Sequence, residues 1–107
     1  MEGMLYENII SQMLIAQGRK LYFYTQYNPE KRRNHIEIDF LLSNESKTNF
    51  KIIPVEVKSS KNYTTTSLDK FSQKFSHKIQ QQIIIHPKAF SMEANLMKIP
   101  PYMIFCL

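Results

Sequence analysis

The sequence predicts a single α/β domain, 1–107, with a mixed central sheet flanked by helices. Three observations carry that prediction: an apolar helical stripe near the N-terminus, period-two alternation between residues 35 and 58, and an unbroken β-branched run at Ile83–Ile85. A chain of 107 residues is long enough for one core and too short for two domains. Hydrophobic residues make up 43% and charged residues 21%, a balance that argues for a folded globular domain and against disorder.

From Met4 to Gln17, Leu5, Ile9, Met13 and Ala16 fall at helical spacing, with Tyr6 and Ile10 widening the stripe. Gly18 is placed to end that helix in the left-handed conformation. The segment KLYFYTQY, 20–27, reads as a strand in which Tyr22, Phe23 and Tyr24 serve sheet packing. A polar loop, NPEKRRN, follows at 28–34. In HIEIDFLL, 35–42, alternation puts Ile36, Ile38, Phe40 and Leu42 on one face and Glu37, Asp39 and Leu41 on the other. SNESKTN, 43–49, has the composition of a turn. FKIIPVEVK, 50–58, is a third strand, with Ile53, Val55 and Val57 on one face and Glu56 and Lys58 on the other.

Ser67 is placed to cap a second helix whose buried stripe is Leu68, Phe71 and Phe75, with Lys70 and Lys74 on its outer side. The run over 80–86 is a strand buried on both faces, stopped by Pro87. The tail forms a short strand to Ile99, and Pro100–Pro101 open a short helix or an apolar extension. The order is α-β-β-β-α-β plus that tail.

Several function classes are disfavoured at once. The only cysteine, Cys106, leaves no internal disulfide and is expected to be a small buried hydrophobe. No apolar run approaches the ~20 residues of a membrane span, and the N-terminus lacks signal-peptide features, so a soluble, cytoplasmic protein with no membrane partner is expected. Two glycines, Gly3 and Gly18, cannot build a glycine-rich phosphate loop. His35, His77 and His86 show no metal-ligand spacing. The net charge is +5, and from Lys58 to Lys88 there are six lysines against one acid, Asp69; a second basic knot is EKRR at 30–33. Such charge attracts polyanions, chiefly nucleic acid, although a solvated lysine-rich surface has the same signature.

The informative anomaly is charge inside the strands. If the strands at 35–42 and 50–58 pair antiparallel with Asp39 opposite Glu56, the turn falls at 45–50, where composition already places it. Directly opposite side chains then have Cβ atoms about 4.5–5.5 Å apart, an unfavourable spacing for two unpaired carboxylates. A divalent cation between them removes the conflict, and Mg²⁺ favours one or two carboxylates plus waters and phosphate oxygens. Lys58 shares the face of Glu56. Glu7 is the only charged residue between Gly3 and Gly18, and its neighbours at i+3 and i+7 are Ile10 and Leu14. The plain alternative is an exposed Glu56–Lys58 ion pair, with Asp39 capping a turn or pairing with Lys20 or Arg33.

Taken together, EGMLYEN, EIDFLL and IIPVEVKSS…SLDKFSQKF resemble the domain of unknown function at the C-terminal end of many bacterial and archaeal AAA-type ATPases. That domain is similar to members of the PD-(D/E)xK nuclease superfamily. The resemblance runs to the closing IPPYMIFCL and implies a restriction-endonuclease-like core. By position, Asp39 matches the metal-binding aspartate, and VEVK supplies the ExK, with Glu56 as second metal carboxylate and Lys58 as catalytic lysine. Glu7 matches the helix glutamate that completes the acidic cluster, and the Val57 carbonyl is a further implied ligand. The implied activity is phosphodiester hydrolysis of DNA dependent on Mg²⁺ or Mn²⁺, with Lys58 assisting in-line attack by water. Glu37 is either an outer support of that site or a structural partner.

No Walker A motif or ATPase module occurs in the sequence, so the resemblance implies a piece of a longer architecture, with an ATPase module acting in cis or in trans. Two functions remain open. One is a metal-dependent DNA nuclease whose Lys61, Lys70, Lys74 and Lys78 hold the phosphate backbone. The other is a non-catalytic module mediating DNA or protein contacts, with the apolar MIFCL end available to dock a second subunit. Under the first, Glu7, Asp39, Glu56 and Lys58 are expected to converge on one face of the sheet.

Overall fold

The computed structural model describes residues 2–16, 18, 21–45 and 50–106; of these, the side chains of 2–6, 44, 45, 50, 105 and 106 are excepted. Expectations for Leu5, Tyr6, Lys20, the 46–49 turn and the Cys106 side chain therefore lie outside the described residues. Within them the chain forms α1 (Glu2–Ala16), β1 (Leu21–Asn28), β2 (Arg33–Glu45), β3 (Phe50–Val57), α2 (Thr66–Lys74), β4 (Gln82–Ile85), β5 (Ser91–Glu93) and β6 (Leu96–Ile99), closed by a 3-10 helix at Pro101–Cys106. The six strands form one mixed sheet in the order β1-β2-β3-β4-β6-β5. No helix among the described residues is long and apolar enough to cross a membrane.

Each face of the sheet has its own core. On one, Ile10 and Leu14 of α1 and Ile104 of the closing helix pack on Phe40, Leu42, Ile53, Val55, Ile83, Ile85 and Ile99. On the other, Leu68 and Phe71 of α2 pack on Ile36, Ile38 and Ile84. The β-branched run of β4 divides as expected for a strand covered on both sides, Ile83 and Ile85 facing α1 and Ile84 facing α2. The apolar tail is part of the first core, where Ile104 is fully buried and Met103 packs beside it.

The inner stripe of α1 differs from the expected one. Ile10 and Leu14 are buried, whereas Ile9 is 47% exposed and Ala16 is exposed. Turning the helix this way puts position 7 on the inner stripe, at i−3 and i−7 from the two buried residues. Gly18 does end the helix left-handed, with φ 78 and its N–H bonded to the Ile15 carbonyl at 2.9 Å.

The antiparallel β2–β3 register has the predicted offset: Ser43 faces Ile52, Leu42 faces Ile53 and Phe40 faces Val55. The predicted faces of β2 need correction. Tyr24 pairs with Ile38 and Tyr22 with Leu41, so three steps along β2 match two along β1. This β-bulge inverts the alternation, leaving Ile36, Ile38 and Leu41 in the α2 core and Phe40 and Leu42 in the α1 core.

Pro54 lies in a central strand, where a missing N–H normally breaks a ladder. Here Ile52 N–H bonds Lys78 O at 2.9 Å and Lys58 N–H bonds Ile85 O at 2.8 Å, so even-numbered residues of β3 donate toward the β4 side. Pro54 falls between the isolated Ile52–Ile79 bridge and the start of parallel pairing at Val55–Ile83, so its lack of a donor falls where the ladder is interrupted.

The second helix starts two residues earlier than a Ser67 cap implies. Thr65 precedes it and makes no side-chain cap bond, its Oγ1 donating instead to Asp69 Oδ2 at 3.1 Å. Ser67 does not cap; its Oγ accepts the Glu37 N–H at 3.2 Å and ties α2 to β2. Phe71 is 1% exposed, with ring centroids 5.1 Å from Tyr24 and 4.8 Å from Phe75. Phe71→Ala is expected to cost about 3–5 kcal/mol by emptying the centre of this aromatic cluster. Chemical denaturation should show a lower midpoint with an unchanged slope.

Candidate functional site

The ladder between β2 and β3 ends at Phe40–Val55, and beyond that pair the strands part. The bulge occurs at the same place, and Asp39 is within it. Its carboxylate turns toward β3 and Oδ2 accepts the Val57 backbone N–H at 2.7 Å. In an uninterrupted ladder a β2 carbonyl would take that hydrogen. A side chain thus replaces a backbone acceptor at the fork, and both strands are held there without closing the gap.

A cleft of about 240 Å³ opens at the fork, lined by Glu7, Glu37, Asp39, Glu56, Val57, Lys58 and Ser67. The structure therefore brings together Glu7, Asp39, Glu56 and Lys58, the four side chains singled out by strand charge and helix position. They do not share one face. Glu56 belongs by alternation to the α2 face, its partner across the parallel ladder being Ile84, whereas Glu7 comes from the helix on the other face. They meet because the parted strands leave an opening that both faces reach.

Glu56 is 3% exposed, which rules out the exposed ion pair that spacing alone allowed. Lys58 Nζ stands 2.9 Å from Glu56 Oε2, with the lysine side chain 25% exposed. The contact is an ion pair, and beyond it Oε2 has no hydrogen-bond partner among the described residues. Burial raises the pKa of Glu56; Lys58 pulls it down, and Asp39 and Glu37 push it up.

Glu7 is raised further, from an ordinary 4.5 to about 8. The largest cause is a hydrogen bond to the Asp39 carboxyl, followed by burial and the charges of Asp39, Glu37 and Glu56. At neutral pH the Glu7 carboxyl is thus mainly protonated and donates to Asp39. Among the described residues no three Asp, Glu, His or Cys side chains stand ready to hold an ion. The reason is visible in the contacts: Val57 N–H takes Asp39 and Lys58 takes Glu56. The donor set is nevertheless that of a hard cation, namely carboxylate oxygens, one of them buried without a hydrogen bond.

The four lysines expected to hold a phosphate backbone separate. Lys70, on α2, reaches the β2 start, with Nζ 3.4 Å from His35 O. Lys74 donates to Tyr24 Oη at 3.1 Å and to Gln26 Oε1 at 3.2 Å, while its ammonium lies 5.6 Å from the Phe75 ring centre. It is bound into the α2–β1 packing. Lys61 lies with Lys88 and Lys98 around a separate pocket, and Lys78 is exposed beyond the end of α2.

His86 is a residue whose setting spacing did not show. It is 3% exposed, with Nδ1 2.8 Å from Tyr63 Oη and Nε2 3.1 Å from Ala89 O. A carbonyl at Nε2 requires the hydrogen there, and the tyrosine hydroxyl holds the ring at Nδ1. Its role is to hold the Tyr63 loop, in keeping with a histidine outside the chemistry.

Fold and cleft define an α/β domain with an acidic cluster and one lysine at a strand fork. The chain belongs to the family described as a domain of unknown function, DUF4143, whose model matches residues 2–104. No curated protein and no solved structure matches it.

The raised Glu7 fixes a sign for pH dependence. A carboxyl whose pKa is higher folded than unfolded contributes stability below pH 4.5 that is lost as pH rises toward about 8. The melting temperature should therefore fall between pH 5 and pH 9, and Glu7→Gln should flatten that fall. Parallel pH profiles for the two proteins would show Glu7 to be uncoupled from Asp39.

Proposed function

We propose that the chain is a metal-dependent phosphodiesterase domain of the PD-(D/E)xK type, acting on DNA alongside an AAA-type ATPase module in cis or in trans. The single observation that supports it most is the shared cleft of Glu7, Asp39, Glu56 and Lys58 at the β2–β3 fork. The ATPase association and the restriction-endonuclease-like core rest on sequence resemblance alone.

In this reading Asp39 and Glu56 hold a Mg²⁺ or Mn²⁺ ion, with Glu7 and the Val57 carbonyl as further oxygen ligands. The bound ion would supply Lewis acidity toward a phosphate and toward the attacking water. Lys58 is partly open to the cleft and anchored by Glu56, so its ammonium is positioned to neutralise charge developing on phosphate oxygens. Glu7 gives up its proton to become a ligand, so cation affinity rises as pH approaches about 8.

A second reading, a non-catalytic module for DNA or protein contacts, is favoured by one fact. Asp39 and Glu56 are already engaged by the protein's own N–H and ammonium groups. Calorimetric titration with Mn²⁺ separates the readings. The catalytic one expects Asp39→Ala and Glu56→Ala each to weaken binding by more than about tenfold; equal affinity in all three proteins overturns it. In plasmid cleavage with Mg²⁺, Lys58→Ala should lower the rate by about 10²-fold or more. A rate untouched by that change would exclude this cleft as its source.

A further inference from the structure

Two basic pockets accompany the acidic cleft. One, of about 220 Å³, is lined by Lys31, Arg33, Lys70, His35 and uncharged residues including Thr66 and Ser67. The other, of about 420 Å³, is lined by Lys61, Lys88, Lys98, Tyr63 and uncharged residues including Thr64 and Thr65. Neither lining contains a carboxylate, and among the described residues none of these six cations is paired with one. Three positive side chains around one pocket without a carboxylate make a lining suited to a polyanionic ligand.

The pockets adjoin the cleft. Ser67 lines both the first pocket and the cleft. Tyr63 connects the cleft to the second pocket, its ring centre 6.0 Å from Lys58 Nζ and 5.7 Å from Lys88 Nζ. Residues 61–67, the segment leading into α2, contribute to all three cavities. Ser67 and Tyr63 thus give a path from one pocket to the other that passes beside the carboxylates of the cleft.

We infer that the two pockets are phosphate-binding subsites for one nucleic-acid strand, whose backbone runs from Lys31, Arg33 and Lys70 across the cleft to Lys61, Lys88 and Lys98. This deepens the proposed function and rests on it for what happens at the cleft, but the binding itself needs no metal. The uncharged lining provides hydroxyl and amide donors suited to phosphate oxygens, and Tyr63 adds an aromatic surface beside one subsite. Lys74 and Lys78 drop out of the backbone contact set, the first because Tyr24 and Gln26 hold it, the second because it lines neither pocket.

The test is fluorescence anisotropy with a labelled oligothymidylate in EDTA, which isolates binding from cleavage. Lys31→Gln with Arg33→Gln, and separately Lys88→Gln with Lys98→Gln, should each weaken binding roughly 10–100-fold at low salt and reduce the salt slope by about 1.4. Lys74→Gln should leave both unchanged. Thermal melts identify any variant that has lost its fold; Lys31, Arg33 and Lys88 are exposed. Wild-type affinity in either double variant overturns the inference. So does competition by poly-aspartate as strong per charge as by unlabelled oligothymidylate, which would assign the pockets to acidic protein segments. If both double variants lose binding while Mn²⁺ titration shows no dependence on Asp39 or Glu56, the subsites stand and the catalytic reading falls. The reverse pattern removes the subsites alone.

Discussion

The β-bulge between Ile38 and Leu41 is the constraint on which most of the molecule depends. It lets one strand contribute to both cores, Ile36 and Ile38 beneath α2 and Phe40 and Leu42 beneath α1. It also coincides with the end of the β2–β3 ladder, so Asp39 can reach across and take the Val57 N–H in place of a backbone carbonyl. The 240 Å³ cleft opens where that ladder ends. Bulges commonly re-aim a side chain beside a functional site, and here the re-aimed side chain is also the tie across the fork.

That arrangement concentrates negative charge in a basic protein. Glu7, Glu37, Asp39 and Glu56 line one small cavity, with Lys58 as the only cation among its lining residues. Two devices lower the cost. Lys58 stands against the buried Glu56, and Glu7 keeps a proton that it shares with Asp39. The pairing is incomplete, since Glu56 Oε2 lacks a hydrogen bond although it is buried. A cluster built only for stability would do better with apolar residues of similar volume.

Much of this was legible in the sequence, and what was not has identifiable causes. The β2–β3 register followed from turn composition and the position of charges in the two strands. Glu7 stood out through its apolar helical neighbours Ile10 and Leu14, which proved to be the buried residues of α1. The bulge left only a faint sign: it contains neither glycine nor proline, and HIEIDFLL breaks its alternation only at Leu41. The helix stripe was misjudged because α1 is apolar around much of its circumference, so periodicity alone does not set its rotation. The strand β5 was missed because its turn to β6 puts Ala94 at φ 51, a position that usually announces itself with glycine.

The basic charge shows most clearly what spacing omits. Along the chain, Lys61, Lys70, Lys74 and Lys78 look like one run, and Lys31 and Arg33 like an unrelated loop. Folding redistributes them. The parallel connection from β3 through α2 to β4 carries Lys70 to the start of β2, where Lys31 and Arg33 already are. The β4–β6 pairing brings Lys98 beside the two loops that hold Lys61 and Lys88. Lys74, equally prominent in sequence, is absorbed into contacts with Tyr24, Gln26 and Phe75. Net charge is a property of composition, whereas a charged track is a property of topology. The connection through α2 and the β4–β6 pairing, not proximity along the chain, gather the cations of the two pockets.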